Sequence, residues 1–160
     1  MAFHDDLLQQ AFQLVHNEPT DPNQASLRRA VSPAYYALFH LLINEAVANW
    51  SRENLRQALG RAFDHGLMKN ASNRILNSRQ FPFTGEDPLV VNKIRTVAET
   101  FARLQEKRHT ADYNGTVFWS RIDALEEVNR AKQAFADWHA IRNEQIAQAY
   151  LVSLLVKHRD

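Results

Sequence analysis

The sequence contains no cysteine and only four glycines and five prolines among 160 residues. The absence of cysteine excludes a disulfide framework, thiol catalysis and cysteine-bound zinc, and it fits a reducing cytoplasm. Because turns depend on glycine and proline, a chain this poor in both favours helices over loop-rich β folds. No apolar run approaches the roughly 18 residues that a membrane span needs, and the amino terminus lacks a signal-peptide pattern. We therefore expect a cytoplasmic protein that does not enter the membrane.

Basic residues are missing from the first 24 positions, which carry four acidic side chains. Residues 25–80 reverse this balance, with eight basic side chains against three acidic ones. A local excess of lysine and arginine is one mark of a surface that binds polyanions. A solvated helix surface has the same composition, so the charge pattern leaves both interpretations open.

Apolar residues recur at helical spacing along most of the chain, and no stretch alternates as a strand does. The third helix is predicted from a cap at Ser51 to His65, with Gly66 as its stop signal. The complete set of predicted helices covers residues 3–16, 24–48, 51–65, 70–78, 88–112 and 120–140, with residues 81–85 as a loop. Residues 141–159 continue the pattern as a prolonged last helix or as a separate one.

These segments predict an all-α fold in one globular unit. We expect an antiparallel up-down helical bundle of four main helices over residues 1–140. Residues 141–160 are expected to form a C-terminal helical extension.

The helix predicted over 88–112 has the most regular apolar pattern, with a core-facing row of Val90, Ile94, Val97, Phe101 and Leu104. Arg108 occupies the next position of that row, where an apolar residue would stabilise the core. A buried arginine needs a partner, and Asp112 lies one helical turn further on. Arg108 therefore either lines a functional polar pocket, or extends to solvent or forms a structural ion pair.

The helix predicted over 24–48 has an apolar row, widened by Tyr35 and Phe39, that consists of Leu27, Val31, Ala34, Leu38, Leu41 and Leu42. A polar row lies opposite it and comprises Arg29, Ser32, Tyr36, His40 and Asn44. Plain solvent exposure explains such a row, but tyrosine and histidine are unusual choices for a helix face without a function. His65 is placed at the predicted end of a helix, where the helix dipole favours a cation.

Other kinds of site fail on spacing. Glu106 and His109 form half of a di-iron motif, but a bundle site needs a second such pair and two further glutamates. The sequence has no phosphate loop, dinucleotide fingerprint or nucleophile elbow. We therefore predict no metal site and no cofactor.

Two segments carry a resemblance to a known family. Residues 26–40, with Ala34-Tyr35-Tyr36-Ala37 at their centre, resemble the second-helix signature of small prokaryotic HEPN-domain proteins. Residues 108–113 resemble the Arg-x-x-Ala-Asp-Tyr ending of the long helix in the same group. The resemblance covers residues 5–140.

The resemblance implies a helical bundle that commonly forms homodimers. Many family members are metal-independent endoribonucleases, either toxins paired with nucleotidyltransferase antitoxins or parts of anti-viral systems. Their catalytic signature is an arginine followed, after four to six residues, by a histidine. Arg103 and His109 match this spacing, but Arg103 lies off the core-facing row, so Arg108 is the better counterpart of that arginine. Asp112 then stands where catalytic members carry histidine. An ionised aspartate accepts a proton but does not readily donate one at neutral pH.

Two functional hypotheses follow. In the first, the chain binds RNA or a nucleotide, with Arg108, His109 and Asp112 as candidate catalytic residues. Its candidate binding residues are Arg29, Tyr36, His40, His65 and Tyr113. In the second, the same residues form a structural network in a non-catalytic, dimerising protein-interaction module. The replaced family histidine predicts weak or absent RNA cleavage by the isolated protein.

Overall fold

The computed structural model describes residues 2–77 and 85–157, and all regular structure in these ranges is helical. The α-helices are α1 (Phe3–Val15), α2 (Gln24–Ala48), α3 (Arg56–Gly60), α4 (His65–Leu76), α5 (Pro88–Tyr113), α6 (Arg121–Ile141) and α7 (Gln145–Leu155). A 3₁₀ turn at Glu53–Leu55 precedes α3. The predicted all-α class is confirmed for this part of the chain. None of the described helices combines the length and apolar character needed to cross a bilayer.

Helix α2 lies at the centre of the fold and packs against α1, α3, α5, α6 and α7. Its predicted apolar row is buried throughout: Leu27, Val31, Ala34, Leu38, Leu41 and Leu42. Arg28, in the first turns of α2, donates to the carbonyl of Ala111 at 3.0 Å, near the end of α5. Further along α2, Tyr35 contacts the ring of Phe101, which lies earlier in α5. The two helices therefore run in opposite directions.

The starts of α5 and α6 confirm the boundaries that their capping signals predict. Asp87 accepts a hydrogen bond from the Leu89 amide at 2.9 Å, and Pro88 occupies the first turn of α5. Ser120 and Asp123 form a reciprocal capping box at the start of α6. In the apolar row of α5, Ile94, Val97, Phe101 and Leu104 are buried and Val90 is partly buried.

The helix predicted over 51–65 is wrong. Helix α3 ends at Gly60, and His65 is the first residue of α4 rather than the last of the preceding helix. Asp64 caps α4, because its carboxylate accepts a hydrogen bond from the Leu67 amide at 2.9 Å. Gly66 consequently lies inside the first turn of α4. The cap one residue before His65 outweighs the glycine stop signal.

Helix α7 is a separate helix, and its buried side differs from the predicted one. The spacing predicts Ile146, Ala149, Val152 and Leu155 as apolar contacts, but Val152 is 64% exposed. Because the chain leaves the helix after Ile141 and starts a new one at Gln145, the helical phase is reset. The buried set is Ile146, Ala147, Tyr150, Leu151 and Leu154.

Of three further predictions, the structure tests the burial of Phe3 and leaves the loop over 81–85 and the division at residue 140 untested. The spacing of the first helix predicts Phe3 in its apolar row with Leu7 and Ala11, yet Phe3 is 58% exposed because it lies at the very start of α1. Except for Gly85, the loop predicted over 81–85 lies outside the described residues. The division of the chain at residue 140 stays a prediction.

Candidate functional site

Arg108 lies in the penultimate turn of α5 and points toward the tyrosine pair of α2. Its guanidinium carbon is 5.3 Å from the ring centre of Tyr35 and 5.4 Å from that of Tyr36. One terminal nitrogen, Nη1, lies 3.5 Å from the Tyr36 hydroxyl and 3.7 Å from a carboxylate oxygen of Asp112. Only 21% of the side chain is exposed. The expectation that Arg108 is partly buried beside Asp112 and Tyr36 is confirmed.

A second arginine on α5, Arg103, has the close carboxylate partner that Arg108 lacks. Arg103 donates from both Nε and Nη2 to the carboxylate of Glu127, at distances of 2.7–3.1 Å. Glu127 is buried in the core, whereas 34% of the Arg103 side chain is exposed, so this is a bidentate ion pair with a buried carboxylate. Among the carboxylates of the described residues, Arg108 contacts Asp112 alone, at 3.7 Å, and its Nε is buried without a hydrogen bond to any described group. Its guanidinium therefore keeps donor capacity that no carboxylate saturates.

Tyr35 and His65 form a short hydrogen bond beside Arg108. The Tyr35 hydroxyl lies 2.6 Å from Nδ1 of His65. Burial of Tyr35 raises the pKa of its phenol well above the usual range, even though Arg108 opposes this effect. The phenol is therefore protonated, and it can donate to Nδ1. In the neutral imidazole the ring proton then resides on Nε2.

The environment of His65 disfavours its charged form. Burial lowers the pKa of His65, and the nearby Arg108 lowers it further, while Asp64 acts in the opposite sense. The ring stacks on Phe39 with centres 4.1 Å apart and planes tilted by 14°. The predicted role of His65 as a cation at a helix end is wrong, because His65 starts α4, where the positive end of the helix dipole disfavours positive charge.

His40 lies on α2, one turn beyond Tyr36, and is half-buried. Its ring packs edge-on against Phe3 of α1 with ring centres 5.0 Å apart. Burial lowers the pKa of His40, and so do the neighbouring His4 and His65. Because the ordinary histidine pKa is about 6.5, His40 and His65 are both neutral at pH 7.

These side chains meet at one place, which we call the polar cluster: Tyr35, Tyr36, His40, His65 and Arg108, with Asp112 at its edge. Three helices supply it: α5 packs against both α2 and α4, and the hydrogen bond between Tyr35 and His65 joins α2 to α4. It combines one fixed positive charge with two neutral imidazoles and two phenols. Such a set favours an anion with several acceptor oxygens over a metal ion.

Three predicted residues lie outside the polar cluster. Arg29 is exposed on α2 and makes no hydrogen bond or ion pair within the described residues. His109 is exposed and contacts the ring of Tyr113, with centres 4.9 Å apart, rather than His40 or His65. Tyr113 is 73% exposed. Of the three candidate catalytic residues, the structure brings Arg108 and Asp112 to the cluster.

His109 instead lines a groove of about 440 Å³ on the α4 side of α5, and Arg108 also borders this groove. Lys69 and Glu106 form an ion pair of 2.9 Å between two of its lining residues. Glu106 is therefore engaged with a lysine. Within the described ranges, no three histidine, aspartate or glutamate side chains come together as a metal site would require.

Sequence reasoning missed the role of Tyr35, which it assigned to the apolar core. Its side chain is completely buried, and a buried phenol needs a hydrogen-bond partner, so the residue type itself was the signal. Reasoning also missed Arg28, whose guanidinium donates to the carbonyls of Ala111, Asn114 and Val117. Arg28 thereby holds the end of α5, which carries Arg108. No protein-family model, curated protein or solved structure shows a significant match to this chain.

Proposed function

We propose that this chain is a HEPN-like helical module that binds RNA, or a nucleotide, by holding a phosphate at Arg108. The observation that carries the proposal is the state of Arg108, a largely buried guanidinium that no carboxylate saturates. Phosphate oxygens accept charge-assisted hydrogen bonds from arginine in the same fork geometry that Glu127 uses with Arg103. The neutral rings of His40 and His65 and the Tyr36 hydroxyl add donors beside it.

The architecture belongs to the same proposal. We take α1, α2, α5 and α6 as the four main helices of an up-down bundle, with α7 as its extension. Contacts of α2 with α1, α5 and α6, and of α5 with α6, support this arrangement. The resemblance extends the proposal to a cytoplasmic homodimer that pairs with a nucleotidyltransferase-type antitoxin.

Cleavage of RNA is expected to be weak or absent in the isolated protein. Cleavage without a metal needs one group that takes the 2′-hydroxyl proton and another that protonates the leaving oxygen. Asp112 can serve only as the base, and His65 has one ring nitrogen occupied by Tyr35. The proposed activity is therefore binding, in the manner of a degenerate endoribonuclease.

The test is binding of an unstructured, fluorescently labelled RNA in EDTA, measured by anisotropy at several salt concentrations. We expect Arg108→Ala to weaken binding by about 10-fold or more, since a charge-assisted hydrogen bond contributes about 1.5–3 kcal/mol. The slope of log affinity against log salt should also become shallower by about 0.7 for each lost phosphate contact.

Arg29→Ala is the matched control, because it removes the same charge from an exposed position on α2. Its effect should stay within about twofold, as expected for a rim charge. Equal losses in Arg108→Ala and Arg29→Ala would show that only net charge matters and would contradict the proposed site.

One observation favours the alternative, a non-catalytic dimerising interaction module. Phe118 and Ile122 are 77% and 78% exposed near the start of α6. Ile122 and Leu125 border a shallow groove of about 500 Å³ on the same helix. Exposed apolar patches of this kind mark protein contacts. If RNA does not bind even at low salt, while the protein is dimeric, the alternative is the better interpretation.

A further inference from the structure

A groove of about 630 Å³ lies between α2 and α3, next to the polar cluster. Its floor consists of Phe39, Ile43 and Val47, which follow one another at four-residue intervals on α2. These three side chains keep 8–9% of their surface exposed, whereas Leu38 and Leu42 on the same helix keep none. The floor is therefore apolar, and a small part of it is open to the groove.

A glycine keeps this floor open. Gly60, the last residue of α3, borders the groove opposite α2. A Cβ atom at Gly60 would lie 3.5 Å from Cγ2 of Ile43 and 3.9 Å from Cγ1 of Val47. These are ordinary contact distances, so an alanine fits, whereas a longer side chain would extend over the floor.

The rim of the groove is basic and carries two amides. Arg56, Arg61 and His40 line it together with Asn44 and Gln57, and within the described part of the chain no aspartate or glutamate lines it. The arginines offer donors for an anion. The Asn44 amide nitrogen lies 3.2 Å from Nδ1 of His4, so Asn44 offers mainly its amide oxygen, whereas the Gln57 amide can both donate and accept.

The two arginines of the rim differ in how they are held. Arg56 is fixed, since it donates to the carbonyls of Trp50 at 2.8 Å and Ala48 at 3.1 Å. Arg61 is exposed and makes no hydrogen bond or ion pair with any described residue. Arg61 is therefore the side chain whose charge is available to a ligand.

We propose that this groove binds a planar heteroaromatic ring that carries a phosphate group, as in a nucleoside monophosphate. The ring lies on the apolar floor beside Phe39. Asn44 and Gln57 form hydrogen bonds with the polar edge of the ring, and Arg61 binds the phosphate. An alkyl chain would bring no polar edge to the two amides. In an RNA duplex the base faces are stacked and inaccessible to such a floor.

The ligand class, RNA or a nucleotide, is taken from the proposed function, and the inference rests on it. The groove adds a surface that binds the base, whereas Arg108 binds only phosphate. The groove adjoins the polar cluster, because Phe39 on its floor stacks on His65 and His40 on its rim is itself a member of the cluster. A base with an attached phosphate group can be supplied by a free nucleotide or by the phosphorylated end of an RNA strand.

The experiment titrates the full chain with adenosine monophosphate and uridine monophosphate, by calorimetry and by amide chemical shifts. We expect Arg61→Ala to weaken binding by about 10-fold, as loss of one charge-assisted contact does. Gly60→Leu should abolish binding, Gly60→Ala should retain it, and adenosine should bind more weakly than its monophosphate. Arg29→Ala should bind nucleotide as the unmodified chain does.

The RNA arm compares one short oligonucleotide with a 5′-phosphate or a 5′-hydroxyl end. If the phosphorylated strand binds in a way that depends on Arg61 and free nucleotide does not bind, the groove is supported. The ligand is then the phosphorylated end of an RNA strand. Absence of both overturns the inference, as does tighter binding of octanoate than of nucleotide.

If Gly60→Leu fails to fold, Arg61→Ala decides, because Arg61 is exposed and its removal leaves the packing intact. Nucleotide binding that depends on Arg61 supports the groove whether or not Arg108→Ala loses RNA binding. RNA binding that Arg108→Ala leaves unchanged contradicts the proposed function, and the groove is then judged by the nucleotide titration alone.

Discussion

Three arginines of this chain have different roles because their hydrogen-bonding and stacking partners differ. Arg28 donates to three backbone carbonyls, Arg103 is saturated by the buried carboxylate of Glu127, and Arg108 lies over two aromatic rings. Carbonyls and a buried carboxylate satisfy a guanidinium, whereas aromatic rings attract it without using its hydrogens. At the scale of single residues, the partner rather than the residue type distinguishes a structural arginine from a candidate ligand-binding one.

The histidines of the polar cluster predict how stability changes with pH. The pKa values of His40 and His65 are lowered, mainly by burial, so folding favours their neutral forms. Their contribution is complete above the unfolded pKa of about 6.5, and it is lost as pH falls from there toward the folded pKa values. Urea unfolding at pH 7.5, 6.5, 5.5 and 5.0 should show stability falling over this range.

The double variant His40→Gln and His65→Gln should flatten that pH profile. His16→Gln is the control, since His16 is exposed just after α1. A profile in the double variant as steep as that of the unmodified chain would show that other groups cause the loss of stability.

Arg108 could be located from sequence because it interrupts a row of five apolar residues at a position that helical periodicity fixes. His65 could not, because its place depends on where α4 begins. The sequence pattern predicts a stop at Gly66, whereas in the structure the Asp64 carboxylate caps α4 and His65 begins it. Tyr35 was placed correctly in the core, yet its hydroxyl partner comes from α4, which local spacing does not reveal.

At the scale of elements, the end of α5 depends on a contact from the start of α2. Arg28 donates from Nη1 to the carbonyls of Ala111 at 3.0 Å and Asn114 at 2.9 Å, and from Nη2 to that of Val117. The last carbonyls of a helix have no partner within the helix, so Arg28 stabilises the end of α5.

Arg28→Ala should therefore destabilise the protein by about 1–3 kcal/mol, because it leaves carbonyl groups without a charged donor. The neighbouring substitution Arg29→Ala removes the same charge from an exposed side chain and should change stability by less than about 0.5 kcal/mol. Urea unfolding measures both. The assignment of Arg28 fails if the two substitutions have equal effects.

Element boundaries followed the sequence where two signals agreed. Asp87 with Pro88, and Ser120 with Asp123, each combine a cap with a compatible first turn, and α5 and α6 start there. Around residues 51–65 the signals conflicted, and the single predicted helix is a 3₁₀ turn followed by α3 and the start of α4. That break creates the groove wall at Gly60, so the candidate nucleotide groove could not be predicted from the sequence.

At the scale of the whole molecule, α7 shares the core of the other helices. The hydroxyls of Tyr150 and Ser72 lie 2.8 Å apart in the interior, which joins α7 to α4. The ring of Tyr150 also contacts Trp138 of α6. The apolar side chains of α7 are part of the same buried cluster as those of α2 and α5. Packing of this kind is what makes separate helices unfold together.

Removal of α7 tests whether residues 1–140 fold on their own. Ile146, Leu151 and Leu154 are buried, and burying each contributes about 1.5–3 kcal/mol, so their sum approaches the whole stability of a typical domain. We expect residues 1–142 to lose cooperative thermal unfolding. In the full chain, Leu154→Ala should cost about 2–5 kcal/mol, whereas Val152→Ala at an exposed position of α7 should cost little. An unfolding midpoint of residues 1–142 equal to that of the full chain would instead support the division at residue 140.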